Sequence, residues 1–188
     1  MGKTFGKYND IELYKALSGK KPIAEAAFSE LYARYAQRVF AYCLRVTGDD
    51  EDAKDIFQET FLKFYHNANS KNEENIDNIG GLLITIARHL CLNFKRNRKQ
   101  LLNIDEFNIT TNDTEYERKE LLKLVSMAIE LLEFEYREAF VLRQYQGLSY
   151  KEIAVITETS VSAIKNRVWR AKEMIKDILS PYLEDMSN

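Results

Sequence analysis

A chain of 188 residues with 45% hydrophobic side chains can bury one core of ordinary size or two small ones, which excludes disorder throughout. Seven Gly and two Pro leave few breakers, so long helices with short connections are expected and the fold class is read as all-α. The formal net charge of −2 excludes a uniformly basic nucleic-acid coat, but sign is segregated along the chain: Asp49-Asp50-Glu51-Asp52 is acidic and Lys95-Arg96-Asn97-Arg98-Lys99 is basic.

In chain order, Asn9 or Asp10 can cap a short first helix with Ile11, Tyr14 and Leu17 on one side, stopped by Ser18-Gly19. Pro22 suits the first turn of a second helix, where Ala27, Phe28, Leu31, Tyr35, Val39, Tyr42, Cys43 and Val46 recur at helical spacing until Thr47-Gly48. Asp49 or Asp50 caps the third, with Ala53, Ile56, Phe57, Thr60, Phe61, Phe64 and Tyr65. The segment from Asn67 to Asn78 reads as an exposed loop because its Asn, Asp and Ser side chains bond to their own backbone. A fourth helix buries Leu82, Leu83, Ile86, Ala87, Leu90 and Phe94 and ends in the basic run, where cations oppose the helix dipole.

From Gln100 to about Glu120 the apolar rhythm fades into Asp, Glu, Asn and Thr, which is linker composition. The expected organisation is therefore a first helical domain over 1–100, a flexible linker over 101–120 and a second helical domain over 121–188. In the second, one helix passes through Leu121, Leu124, Val125, Ala128, Ile129 and Leu132, and another through Phe140, Val141 and Tyr145 to Gly147. Two more cover Tyr150 to Ile156 and Val161 to Leu179.

Those last two helices carry the clearest signal. Ser149 and Glu152 have capping-box spacing, Ile153, Ala154 and Ile156 face inward, Thr157-Glu158-Thr159 turns the chain, and Ser160 can cap the following helix, so the segment is a helix-turn-helix. In the second helix Val161, Ile164, Val168, Ala171 and Ile175 share one face. Ser162, Ala163, Lys165, Asn166, Trp169, Arg170 and Glu173 are left outward, with Arg167 and Lys172 as flanking cations. Lys and Arg suit guanine edges and phosphates, Asn suits adenine, and an aromatic ring can pack on a thymine methyl or sugar. The plain alternative is a solvated basic helix, and the turn in front of it weighs against that.

The segment from Arg137 to Ala154, followed by Ser160 to Lys172, resembles region four of the extracytoplasmic-function (ECF) sigma factors. Asp52-Ala-Lys-Asp-Ile-Phe-Gln-Glu-Thr-Phe-Leu62 is similar to their region-two polymerase-binding motif, and Leu83-Ile-Thr-Ile-Ala-Arg88 with the basic run resembles their promoter-melting helix. The resemblance covers nearly the whole chain. It implies a sigma factor that directs core RNA polymerase to promoter DNA and initiates transcription, with an anti-sigma factor as a further partner. It implies that Asp52, Asp55, Gln58 and Glu59 dock on the polymerase. It also implies that Ser162, Lys165, Asn166, Arg167, Trp169 and Arg170 read the upstream element as duplex, while Tyr65, His89, Asn93, Lys95, Arg96 and Arg98, with the loop from Asn67 to Asn78, take the melted downstream strand. Four positions depart from the family pattern. Leu82 stands where Trp is common, His89 replaces Asn, Glu133 replaces a helix-opening Pro, and Glu158 occupies a turn position often held by Gly.

No nucleophile, base and orienter arrangement and no Gly-rich phosphate loop is legible, so no catalytic residue, enzyme activity or cofactor is expected. Cys43, Cys91, His66 and His89 lack ligand spacing, and neither a metal site nor a disulfide framework is expected. No apolar run is long enough for membrane insertion and the start lacks a signal core, so a cytoplasmic protein is expected. Two other readings remain at this point: a helix-turn-helix regulator that binds duplex DNA without polymerase, and a helical module that serves only protein partners.

Overall fold

The computed structural model describes residues 7–70, 76–98 and 124–185, and no strand occurs among them. The chain divides into two compact units, Met1–Lys95 and Arg96–Asn188. The expected linker over 101–120 and Leu121 lie outside the described residues. No described helix is long and apolar enough to cross a membrane.

Unit one holds α1 (Asp10–Ala16), α2 (Lys21–Thr47), α3 (Asp50–Asn69) and all of α4 (Ile79–Arg98) but its last three residues, which follow the boundary at Lys95. The starts of α1, α3 and α4 satisfy amides that have no partner within the helix. Asn9 and Glu12 form a capping box at 2.8 Å in both directions, and Asp49 Oδ1 accepts from the Asp52 amide at 2.9 Å. Asn78 Oδ1 accepts from the Gly81 amide at 2.8 Å, and Pro22 lies in the first turn of α2, where its missing N–H removes no helical bond. The chain leaves α2 through Gly48 at φ 75°, a left-handed conformation that glycine adopts without steric cost.

Leu13, Leu17, Leu31, Tyr42, Phe64 and Leu83 are wholly buried in this unit. Around them Phe61 meets Tyr32, Phe57, Phe28 and Phe64 at ring-centroid distances of 4.9, 5.2, 6.1 and 6.4 Å, mostly edge to face. Aromatic quadrupoles favour that geometry, which fixes α3 on α2. The third helix runs to Asn69, three residues into the segment expected as loop from Asn67. Asn69 Nδ2 donates to the Tyr65 carbonyl at 2.9 Å and Ser70 Oγ to the Asn67 carbonyl at 2.8 Å, so side chains expected to break the helix instead close its end.

Unit two holds a helix over 124–130 (α5), then α6 (Phe134–Gln144), α7 (Tyr150–Ile156) and α8 (Val161–Asp185). Val141, Leu142, Ile153, Ile164, Val168 and Ala171 form its core. Helix α6 stops at Gln144, and Gly147 at φ 68° turns the chain beyond it. Glu133 is the N-cap of α6 without a side-chain cap bond. From the body of α6, Arg137 instead binds the segment before it, donating through Nη2 to the Glu130 carbonyl at the end of α5 and, at 3.1 Å, to the Leu132 carbonyl just beyond. Burial pushes its guanidinium below the usual arginine range. The last helix continues past the expected end at Leu179 and through Pro181 to Asp185, because near a helix end a proline removes a single backbone donor.

Candidate docking and nucleic-acid interfaces

The first surface lies on α3. Ala53, Ile56, Thr60, Phe61 and Phe64 point into unit one, so helical spacing turns Asp55, Gln58 and Glu59 to solvent with Asp52 half-buried beside them. Leu62 continues this face at 61% exposure. Sequence reading passed over it, although its offset of three from Glu59 and four from Gln58 already places it outside the buried stripe. The acidity is only partly balanced within the helix, by Lys54 on Asp50 and by Lys63 on Glu59 at 3.0 Å. The Asp50 bond, the largest cause, raises the Lys54 ammonium above its ordinary range. The result is a carboxylate and amide face with an apolar side chain in it, a chemistry that suits a basic helical partner.

The second surface lies on α4, where Leu83, Ala87, Leu90 and Cys91 face inward and His89, Asn93 and Arg96 are exposed at offsets of four and three. These three share one stripe. Lys95 falls off that stripe and is half-buried, so the structure does not bring it together with the others. The backbone of Arg98 closes α4, and its side chain lies outside the described residues, as do 71–75 of the expected loop. Tyr65 on α3 is both core and surface: its ring meets Phe28 edge-on at 5.8 Å while 36% of the residue stays exposed. Among the described residues no group of three or more His, Cys, Asp and Glu side chains could hold a metal ion.

The third surface is the helix-turn-helix. The Ser149 and Glu152 capping box is formed, with the Ser149 amide donating to Glu152 at 2.8 Å and the Glu152 amide to Ser149 Oγ at 3.2 Å. Arg143 of α6 fastens this start, stacking 4.8 Å from the Tyr150 ring centre and donating to the Leu148 carbonyl at 2.8 Å. The turn passes through Glu158 at φ 54°, the one described non-glycine residue in the left-handed region. Ser160 Oγ then caps α8 by accepting from the Ala163 amide at 3.1 Å. With Ile164, Val168, Ala171 and Ile175 buried, Ser162, Lys165, Asn166, Trp169 and Arg170 form an exposed face, and Arg167 is half-buried at its flank. Trp169 is 60% exposed, which leaves the chain's single tryptophan in the middle of that cationic face.

Residues 31–100 match the family Sigma-70 region 2, and residues 122–175 match Sigma-70, region 4. RNA polymerase sigma factor YlaC of Bacillus subtilis is 29% identical over 85% of this chain and 95% of its own length. The ECF RNA polymerase sigma-E factor of Haemophilus influenzae is 28% identical over 84% and 89%. ECF RNA polymerase sigma factor SigE of Mycolicibacterium smegmatis is 26% identical over 85% of this chain, which spans 64% of that relative's length. Among solved structures, the sigma factor RpoE in complex with the anti-sigma factor NepR from Bartonella quintana shares the fold at a TM-score of 0.69 and 22% identity, over 81% of this chain and 96% of that one. CnrH in complex with the cytosolic domain of CnrY does so at 0.67 and 23%, over 92% and 97%.

Proposed function

The chain belongs to the extracytoplasmic-function sigma factors of RNA polymerase, and from that membership we propose a division of labour between its two units. As a sigma factor it brings core polymerase to promoter DNA and serves transcription initiation. Unit one docks on the polymerase through Asp52, Asp55, Gln58, Glu59 and Leu62. Helix α4 takes the melted downstream strand on His89, Asn93 and Arg96, with Tyr65 of α3 as a stacking edge and Lys95 and Arg98 as flanking charge. Unit two reads the upstream element as duplex through Ser162, Lys165, Asn166, Arg167, Trp169 and Arg170. The domains run over 1–100 and 121–188 with a tether over 101–120, and the protein acts in the cytoplasm by recruitment rather than by catalysis.

The observation that carries this reading is the opposition of two exposed helical faces. One, on α3, is acidic with an apolar side chain at its end, and the other, on α8, is cationic with an aromatic ring among its cations. A polyanion repels the first and attracts the second, and a basic protein helix does the reverse. RpoE of Bartonella quintana was solved with an anti-sigma factor, and we extend a partner of that class to this chain.

Run-off transcription with purified core polymerase on a genomic promoter library, with and without the protein, tests the reading. Added protein should create new start sites. An Asp52→Ala, Asp55→Ala, Gln58→Ala variant should lose core association and keep duplex binding. A wild-type chain that binds duplex yet fails to associate with core at low salt would instead be a stand-alone helix-turn-helix regulator. One that binds neither would serve protein partners alone.

A further inference from the structure

Tyr35 stands where three helices of unit one meet. From α2 its hydroxyl donates to Asp10 of α1, and its ring edge lies against the first turn of α4. The approach is so close that a Cβ added at Gly80 would stand 3.0 Å from Tyr35 Cε1. Asp10 is itself held, since Arg34 Nη1 donates to it at 2.7 Å and to the Tyr8 carbonyl at 3.1 Å, while Arg34 Nε donates to Glu30 at 2.9 Å. Burial, with the Asp10 bond second, pushes the Tyr35 phenol up to about 12, so it stays a protonated donor at every working pH.

What rests on the ring is the beginning of the helix that carries the exposed His89, Asn93 and Arg96 stripe. Gly80 lies between Asn78, whose side chain caps α4, and Gly81, whose amide that cap receives. The helix then runs without interruption to Arg98. His89 and Arg96 lie roughly 14 and 24 Å further along its axis, so a small tilt at the first turn is magnified at the stripe.

We propose that Tyr35 is a positioning residue for capture of the melted strand: its ring seats the first turn of α4 through Gly80, and its hydroxyl ties that seat to α1 through Asp10. The proposal rests on the reading of α4 as a strand-binding helix. It accounts for a glycine at 80, where a Cβ would crowd the ring so that ring or helix must give by a few tenths of an ångström, and for an anchored phenol at 35 in place of a simple apolar residue.

The test uses holoenzyme assembled from full-length protein and core polymerase. The probe is a fluorescein-labelled short single strand copied from the downstream element of the strongest run-off promoter. Core affinity, duplex affinity and the thermal midpoint are measured beside strand affinity. Gly80→Ala should weaken strand binding roughly fivefold, since misplacement of recognition groups by a fraction of an ångström is costly, and Tyr35→Phe by about twofold. Core and duplex affinities should stay within about twofold of wild type. In a Tyr35→Leu background, Gly80→Ala should cost much less than it does alone, because the ring edge it strikes is gone. That non-additivity is the readout a general loss of stability would not give.

Strand affinities unchanged in both Gly80→Ala and Tyr35→Phe would overturn the proposal, as would core affinity falling by the same factor as strand affinity. If Gly80→Ala does not fold, Tyr35→Phe decides alone. A wild-type holoenzyme without strand affinity would remove the strand-binding reading of α4 and this proposal together, whereas unaffected variants beside a binding wild type would remove this proposal only.

Discussion

The first turn of α3 is acidic and that of α8 is uncharged with cations following it, and the difference shows how one device can serve stability in one place and recognition in another. Asp50, Glu51 and Asp52 fill the first turn of α3 behind the Asp49 cap, so carboxylates meet the positive end of that helix. The first turn of α8 contains no acid, and Lys165, Arg167 and Arg170 follow it. In α3 the positive end is answered from within, which stabilises the helix and makes its face repel a polyanion. In α8 the positive end is left to add to the cations, which is the arrangement that a phosphate backbone rewards.

The largest effect that would sharpen this contrast is on duplex binding. A Lys165→Ala, Arg170→Ala variant should bind promoter duplex about 100-fold more weakly and with a shallower salt dependence, while its affinity for core polymerase is unchanged. Trp169 sits among these cations as the single tryptophan, so its fluorescence reports the titration without a label. Equal losses for duplex and core would break the assignment of separate tasks to the two faces.

The units also differ in how their helices are held to one another. In unit one the tie from α1 to α2 is shared among Asp10, Arg34, Glu30 and Tyr35, and Arg34 has its pKa raised chiefly by its bond to Asp10. In unit two the ties are arginines on backbone: Arg137 bonds the Glu130 carbonyl that ends α5 and the Leu132 carbonyl beyond it, and Arg143 bonds the Leu148 carbonyl before α7. Arg137→Ala should therefore destabilise unit two by about 2 kcal/mol, the range for hydrogen bonds to a charged donor. The denaturant transition followed by Trp169 should move to lower concentration. A midpoint that stays in place would mean that the α5 end is held by packing alone.

Periodicity made the elements of both units legible, and capping chemistry made their starts legible, because both are local. Ser149 with Glu152, Asp49 before α3 and Gly48 after α2 could be read from the chain and are realised in the fold. The residues on the exposed face of α8 were legible for the same reason. Helix ends were less so. Asn69 and Ser70 are the residue types of a loop, yet a side chain able to bond backbone closes a helix as readily as it breaks one. Lys95 belongs to a basic run in sequence but leaves the His89, Asn93 and Arg96 stripe once the run is wound into a helix. The seating of α4 on Tyr35 was not legible at all, because a close approach between distant helices leaves no mark on local spacing.

Glu158 joins the two kinds of reading, since the sequence marks it as a glycine position and the backbone there is left-handed at φ 54°. Glu158→Gly should relieve about 1 kcal/mol of steric cost, part of it offset by the added freedom of the unfolded chain, for a net gain of roughly 0.5 kcal/mol. The Trp169 transition should rise slightly, with duplex affinity held or improved. A fall in stability would mean that contacts of the Glu158 side chain outweigh the strain of its backbone.

The smallest effect at neutral pH, and the one that separates the units most cleanly, comes from Tyr35. Its phenol is pushed from the ordinary 10.0 up to about 12, chiefly because burial disfavours the phenolate and secondarily because the neutral hydroxyl donates to Asp10. A pKa raised in the folded state means that the unfolded chain gives up its proton first as pH climbs. The contribution is therefore complete below pH 10.0 and drains away between there and about 12. Other tyrosines and lysines also titrate in that window, so the informative quantity is the difference between wild type and Tyr35→Phe, in which their shared effects cancel. Denaturation followed by helical ellipticity from about pH 9 to about pH 11.5 should show the two proteins converging in stability as the pH rises. The Trp169 signal of unit two should show no such convergence. Parallel decline in ellipticity would mean that the hydroxyl is not anchored as the fold places it, and the contrast between a unit tied through a shared side-chain cluster and one tied by arginines on backbone carbonyls would lose its strongest case.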